Sequence, residues 1–296
     1  MEKKDIILEI DNISKTFPGV KALSSVSLNV QKGEILAVVG ENGAGKSTLM
    51  KTLAGIHKPD TGSGGIKLDG KKVSFSNNLE AKKAGLILIF QELSLVSELS
   101  VAENIFLGNL PRTKRGFIDW KTLNERTAQI MSELELDIDP TELVGKLSIS
   151  RQQMVEISRA LSMGAKVVIF DEPTSSLTEN EKEILFKNIR KLKEKDVSVI
   201  YITHKMDEVF DITDRIEVLR DGQNTGSLVT KDVTLEDITQ LMIGRVIDDY
   251  FHKNNAEKGE EVLRVENLSL EGQFKDISFT VSKGEVVGLY GLVGAG

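Results

Sequence analysis

The 296-residue sequence contains no cysteine. Disulfides and thiolate metal sites are therefore excluded, and the composition fits a reducing compartment. No apolar run approaches the roughly 20 residues that span a bilayer. The opening stretch MEKKDIILEI, Met1 to Ile10, starts basic, but its apolar part is too short for a secretory signal. Positive charge is in deficit: 38 Lys and Arg against 45 Asp and Glu, a formal net charge of −7. That balance argues against a nucleic-acid binder held by phosphate contacts, although it leaves room for a local basic groove. What is present is ordinary. Forty per cent apolar residues is enough for a packed core, and the length predicts one large or two smaller domains. The expected protein is cytosolic, and any work at a membrane is done through a partner.

A repeat comes before any motif. ILEIDNIS (Ile7 to Ser14) matches VLRVENLS (Val262 to Ser269), at an offset of 255 residues. VSLNVQKGEILAVVGENGAG (Val26 to Gly45) matches ISFTVSKGEVVGLYGLVGAG (Ile277 to Gly296), at an offset of 251. The second copy has thus lost four residues where the first carries FPGVKAL. Three regions are expected: a first domain over 1–244, a polar linker over 245–261, and the start of a second copy of the domain over 262–296, which runs out inside a glycine loop. TLEDITQLMIG, Thr234 to Gly244, reads as a short helix capped by Thr234 with an acidic first turn.

Within the first copy, short apolar runs alternate with helical patterns. EILAVVG, GLILIFQE, VVIFDE and VSVIYITH are β-rich runs bounded by turn residues. Near-continuous apolar strands are expected where helices cover both sheet faces. Between two of them, Ile184, Leu185, Ile189 and Leu192 form the predicted apolar stripe of a helix. This is an α/β pattern with a mostly parallel sheet, which binds ligands at the carboxyl ends of its strands. Three runs end on polar residues there: Gln91, Asp171 with Glu172, and His204. The fourth ends on a glycine loop.

That loop, GENGAGKS from Gly40 to Ser47, fits G-x4-G-K-S between a strand and a helix. Its glycines let backbone N–H groups turn inward around phosphate oxygens, and the helix start adds partial positive charge. The candidate phosphate contacts are Gly40, Asn42, Gly43, Ala44, Gly45, Lys46, Ser47 and Thr48. Lys46 would reach the β and γ phosphates, and the Ser47 hydroxyl would bind Mg²⁺. A glycine turn that happens to precede a lysine is the bland alternative. Asp171 would hold Mg²⁺, and Glu172 could polarise an attacking water; a helix cap after a strand is the competing reading. Two carboxylates at a core strand's end need a cation or hydrogen bonds to offset desolvation. Gln91 could touch Mg²⁺ and the water, and His204 the γ-phosphate and the water; neither is persuasive alone. The stretch KLSISRQQMVEISRALS, Lys146 to Ser162, starts a helix with Ser148 or Ser150 as cap, and such a start can bind a phosphate. Met154, Ile157, Ala160 and Leu161 make its apolar stripe.

The order phosphate loop, glutamine, LS…QQ helix, DEPTSSL and histidine resembles the ATP-binding cassette ATPases, from about Ile7 to Gly244. FPGVKAL, FQELSLV, LSISRQQMVEI, DEPTSSLTE and ITHKMDE look most like the tandem ATPase subunits of bacterial monosaccharide importers of the ribose, galactose and xylose group. The resemblance implies a P-loop NTPase (RecA-like) core, an N-terminal antiparallel β subdomain, and a helical subdomain over about 92–165. It implies ATP and Mg²⁺ as ligands, with ATP sandwiched between the phosphate loop of one domain and the Ser148–Ser150 helix start of another. Phe17 occupies the place of the aromatic residue that stacks on adenine. It implies a peripheral protein on the cytoplasmic face of the membrane. Its partners would be transmembrane permease subunits, near ELSLVSELSVAENIFLG, and indirectly a sugar-binding protein; no nucleic-acid partner is expected.

One departure matters. The usual signature LSGGQ is Leu147-Ser148-Ile149-Ser150-Arg151 here, and both glycines are replaced. Those glycines allow close backbone approach to the γ-phosphate, which a β-branched isoleucine restricts. An aspartate usual after Leu177 is replaced by Thr178. Asymmetry is therefore expected: the site built on Lys46 and Glu172 hydrolyses ATP, and the site completed by LSISR binds but hydrolyses poorly. Two other classes compete, a soluble tandem cassette ATPase acting on nucleic acid or ribosomes, and a nucleotide-binding regulatory module without turnover.

Overall fold

The structure is a computed structural model, and it describes residues 5–90, 93–175, 177–244 and 259–290. The chain divides into two compact units, Met1–Arg245 and Val246–Gly296. The strands are β1 (Ile6–Phe17), β2 (Val20–Gln31), β3 (Ile35–Val39), β4 (Gly65–Leu68), β5 (Lys71–Val73), β6 (Leu86–Ile89), β7 (Val167–Asp171), β8 (Ser198–Ile202), β9 (Arg215–Arg220), β10 (Gln223–Val229), β11 (Glu261–Leu270) and β12 (Phe274–Ser282). The α-helices are α1 (Lys46–Leu53), α2 (Asn78–Ala84), α3 (Val101–Ile105), α4 (Trp120–Glu133), α5 (Ile149–Ser162), α6 (Glu179–Glu194), α7 (Met206–Ile212) and α8 (Leu235–Ile243).

The first unit holds two sheets. One is antiparallel, in the order β2-β1-β4-β5. The other has the order β10-β9-β3-β8-β7-β6; five of its strands run parallel, and only the edge strand β10 is antiparallel, closing a hairpin with β9. All four apolar runs lie in this second sheet. They are apolar throughout because successive side chains enter different cores. Val199 and Tyr201 of β8 face one buried cluster, shared with α3, α4, α5 and α6. Ile200 and Ile202 face another, shared with β1, β2 and α1. Ala37 and Val39 of β3 meet a third, closed by α7 and α8.

The stripe on α6 differs from the expected one. Leu185, Ile189 and Leu192 are buried, but Ile184 is 47% exposed, and Phe186 takes its place in the core. Ile184 projects beyond the edge of the i, i+4, i+7 row that begins at Leu185, whereas Phe186 packs edge-to-face on Tyr201 with ring centroids 6.1 Å apart. On α5, Met154, Ile157 and Ala160 are buried as expected, Leu161 is partly buried, and Val155 joins them. Helix α8 carries the expected cap, with the Thr234 and Asp237 side chains each receiving the other's backbone N–H.

The described part of the second unit is the hairpin β11–β12, and it repeats β1–β2 bond for bond. In the first hairpin Asn12 and Ser25 adopt left-handed backbone, at φ 51° and 56°; in the second, Asn267 and Asp276 do, at 48° and 57°. Asn12 N–H donates to Ser27 Oγ at 2.8 Å, and Asn267 N–H to Ser278 Oγ at 2.9 Å. Ser25 N–H donates to Ser14 Oγ at 2.9 Å, and Asp276 N–H to Ser269 Oγ at 2.9 Å. The pair Lys15–Leu23 corresponds to Leu270–Phe274, where the second hairpin ends; the first goes on through Thr16–Lys21 and Phe17–Val20. The four missing residues are therefore the hairpin tip. Of the expected linker, 245–258 lie outside the described residues, and Glu261 already belongs to β11, paired with Ser282.

Candidate functional site

Register builds the site. Val38, Ile202 and Asp171 lie side by side across β3, β8 and β7. The chain leaves those three strand ends as the glycine loop, as Thr203–His204 and as Glu172. Gly40 and Gly45 are required by close approach: a Cβ on Gly40 would sit 2.2 Å from the Leu219 carbonyl oxygen, and one on Gly45 2.6 Å from that of Ala22. Gly45 also caps α1 in left-handed backbone, at φ 100°.

A cleft of about 410 Å³ is lined by Asn42, Gly43, Gly45, Lys46, Ser47, Thr48 and Glu172, with Val20, Lys21, Ala22 and Asp221 as its other wall. A neighbouring cleft joins Gly40, Glu41, Asn42, Glu172, His204 and Met242. Seven of the predicted residues thus line the first cleft, and Gly40 and His204 line the second. Asp171 lies at the end of β7, directly before Glu172. Phe17, Ala44, Ser148 and Ser150 line neither cleft. Phe17 pairs with Val20 at the hairpin tip and stands edge-on to His57, with ring centroids 5.2 Å apart. Gln91 and the second glycine loop, 291–296, lie outside the described residues.

Lys46 is buried, and its ammonium donates to the carbonyl oxygens of Gly40 at 2.7 Å and Glu41 at 2.9 Å. Burial lowers its pKa below the usual lysine value, while the charges of Glu172 and Asp171 oppose that shift. Asp171 moves the other way. Burial raises its carboxyl above the usual range, the neighbouring Glu172 raises it further, and Lys51 and Lys46 pull it back. Glu172 holds left-handed backbone at φ 48°, unusual for a side-chain-bearing residue, and is pinned by its N–H to the Ile202 carbonyl at 3.0 Å. Its Oε1 lies 3.1 Å from His204 Nδ1. A buried cation and a hydroxyl at a helix start, with Glu172 lining the same cleft and Asp171 and His204 beside it, can bind a phosphate chain and activate water there.

At α5, Ser148 is the cap, its Oγ receiving the Arg151 N–H at 3.5 Å and lying 3.0 Å from Ser150 Oγ. Ser150 is buried, and Ile149 is exposed. The sequence reading missed the wall of Val20, Lys21, Ala22 and Asp221. Its trace was the Asp221-Gly222 turn: a Cβ on Gly222 would lie 2.7 Å from the same Ala22 oxygen that Gly45 approaches. It also missed Glu208, a fully buried carboxylate behind the site.

Known proteins share this arrangement. The chain is 48% identical over 290 residues to the ribose import ATP-binding protein of Caldanaerobacter subterraneus, covering 98% of the chain and 58% of that protein. It is 47% identical over 290 residues to the arabinose import ATP-binding protein of Vibrio parahaemolyticus, covering 98% of the chain and 57% of that protein. The chain thus spans somewhat more than half the length of these curated relatives. Among solved structures, an ATP-binding cassette of an ABC transporter in its ADP conformation superposes with a TM-score of 0.71 at 27% identity, over 82% of this chain and all of that one. The phosphate loop, the paired carboxylates and the strands β3, β6 and β7 fall where a model of the ABC transporter family matches, over residues 23–175, and the chain belongs to that family.

Proposed function

We propose that the chain binds and hydrolyses ATP and so powers uptake of a monosaccharide through a membrane permease. The observation that carries this reading is the buried Lys46 ammonium, held on the glycine loop and drawn by the charges of Asp171 and Glu172. In this reading Lys46 binds the β and γ phosphates, and the N–H groups of Asn42 to Thr48 cradle them. The left-handed Glu172 orients and deprotonates the attacking water, and His204 steadies the γ-phosphate beside it. Gln91 contributes to the same water, and Phe17 stacks on adenine. Carboxylate and hydroxyl oxygens are the donors that suit Mg²⁺, and Asp171, beside Glu172 at the end of β7, would hold it together with Ser47 and Gln91. When bound, the ion would neutralise phosphate charge. Among the described residues no cluster of three or more His, Cys, Asp or Glu could hold a metal alone, which suits an ion that keeps waters and substrate oxygens as ligands.

The sugar assignment is supported by the relatives that import ribose and arabinose; the permease partners, with a sugar-binding protein behind them, are what such a role in import would call for. Among the described residues no helix is long and apolar enough to cross a membrane. A peripheral position on the cytoplasmic face, beside a permease, suits that observation. In the same reading Ser148 and Ser150, at the start of α5, serve a nucleotide held on another cassette domain, in a sandwich of two. Residues 262–296 are read as the start of a second such domain, after a linker over 245–261.

Glu172→Gln tests the hydrolytic reading. It should leave the Mg·ATP dissociation constant within about twofold while lowering turnover about 10²-fold or more. Failure of the native chain to bind Mg·ATP in calorimetry would overturn the reading. Uptake of labelled ribose, galactose and xylose by cells lacking the protein tests the sugar; restoration of none of them would reject it.

A further inference from the structure

Behind the cleft sits a carboxylate that the proposed reaction does not use. Glu208, in the first turn of α7, has no solvent exposure. Four donors converge on it. The Thr174 hydroxyl donates to Oε1 at 2.7 Å, and the Tyr201 and Thr203 hydroxyls donate to Oε2 at 2.8 and 3.1 Å. The Lys205 ammonium lies 3.3 Å from Oε1. Thr174, Tyr201 and Thr203 are themselves buried. Burial, together with the charge and hydrogen bond of Glu208, raises the Tyr201 phenol far above its usual value, so it stays a donor.

An acidic residue in a helix's first turn has a bland use, as a partner for the helix dipole. Asp207 already meets that need from a side chain 69% exposed. Dipole interaction needs no burial, and a buried carboxylate is costly unless fully paired. The donors show what the burial achieves, because three of the four come from the two loops that carry the chemistry, and Tyr201 from the strand that leads into one of them. Thr174 lies two residues after Glu172. Thr203 and Lys205 flank His204. Lys205 also joins the loops directly, its N–H donating to Thr203 Oγ1 at 3.0 Å and its ammonium to the Thr174 carbonyl at 3.3 Å.

We propose that Glu208 is a positioning residue: one buried carboxylate clamps both loops and fixes the contact between Glu172 and His204. The effect on turnover rests on the ATPase reading above; the clamp does not. The test reads the contact itself. In ¹⁵N-labelled chain, the His204 ring signals are assigned by their loss in His204→Ala. Glu172→Gln should displace them, since it changes the group 3.1 Å away. In a Glu208→Gln background that displacement should fall to about a third or less. Turnover should drop about tenfold in kcat with KM and Mg·ATP affinity within about twofold, because the Lys46 loop is not held by the clamp. Glu208→Asp, which keeps the charge but shortens the reach, should not restore the response. If Glu208→Gln does not fold, Thr203→Val and Tyr201→Phe each remove one donor and should weaken the response in part. An undiminished response in Glu208→Gln, or in both single-donor variants, overturns the clamp. A native chain without ATP turnover would overturn the functional reading, and the ring signals would still decide this one.

Discussion

The ammonium of Lys46 donates to the carbonyl oxygen of Gly40, six residues earlier in the same loop, at 2.7 Å. The loop thus holds its own cation in the wall of the cleft. A phosphate chain would take over a charge already in place, with little side-chain ordering left to do.

Lys46→Met should therefore separate binding from folding. A charge-assisted contact is worth about 1.5–3 kcal/mol, so Mg·ATP affinity should fall by roughly ten- to a hundredfold. Methionine fills similar space without a buried charge, so the melting temperature of the nucleotide-free chain should not fall. Calorimetry and a thermal melt check both halves. Unchanged affinity would remove Lys46 from the site.

The start of α5 makes a second prediction. Ser148 and Ser150 bond to each other, and exposed Ile149 stands between them. Glu172→Gln chain should stay monomeric in Mg·ATP, as measured by light scattering. Adding Ile149→Gly and Ser150→Gly, at a cost of up to about 1 kcal/mol each in helix stability, should let nucleotide draw two chains together. A dimer without the glycines would show that LSISR closes a nucleotide sandwich unaided.

Away from the cleft, Arg215 bridges two buried carboxylates, 2.8 Å from Glu34 and 2.7 Å from Glu217. Arg215→Met should cost about 3–5 kcal/mol near neutral pH, because both charges lose their partner. Burial already raises the Glu217 carboxyl above its usual range, against Ser227, Arg215 and Asn224, and the variant removes one of those opposing contacts. A raised folded-state value favours the protonated form. The penalty is absent below the ordinary glutamate value of about 4.3 and grows as pH rises through the folded one. The deficit in urea melts should accordingly shrink as the pH is lowered from neutrality. A deficit that does not change with pH would place the cost in lost packing instead.

The phosphate loop, the four apolar strands β3, β6, β7 and β8, and the caps of α5 and α8 were legible because each is a local pattern: turn glycines, apolar runs between turns, a hydroxyl before a helix. Glu208 and Arg215 were not, because their partners are brought in by topology. A partial signal did exist for Glu208. It lies four residues before Ile212, on the buried side of a short helix, where a charge calls for a partner. Ile184 was misplaced for the opposite reason. Composition alone cannot distinguish the edge of an apolar stripe from its centre, and Phe186 competed for the same space.

The two hairpins differ by an edit at one end. The register shifts below Lys15–Leu23 and the two backbone-to-serine bonds within the hairpin recur below Leu270–Phe274, and only the tip is gone. Strand pairing and reach are thus separately adjustable: a hairpin of this kind can be lengthened or trimmed at its tip without renegotiating its register.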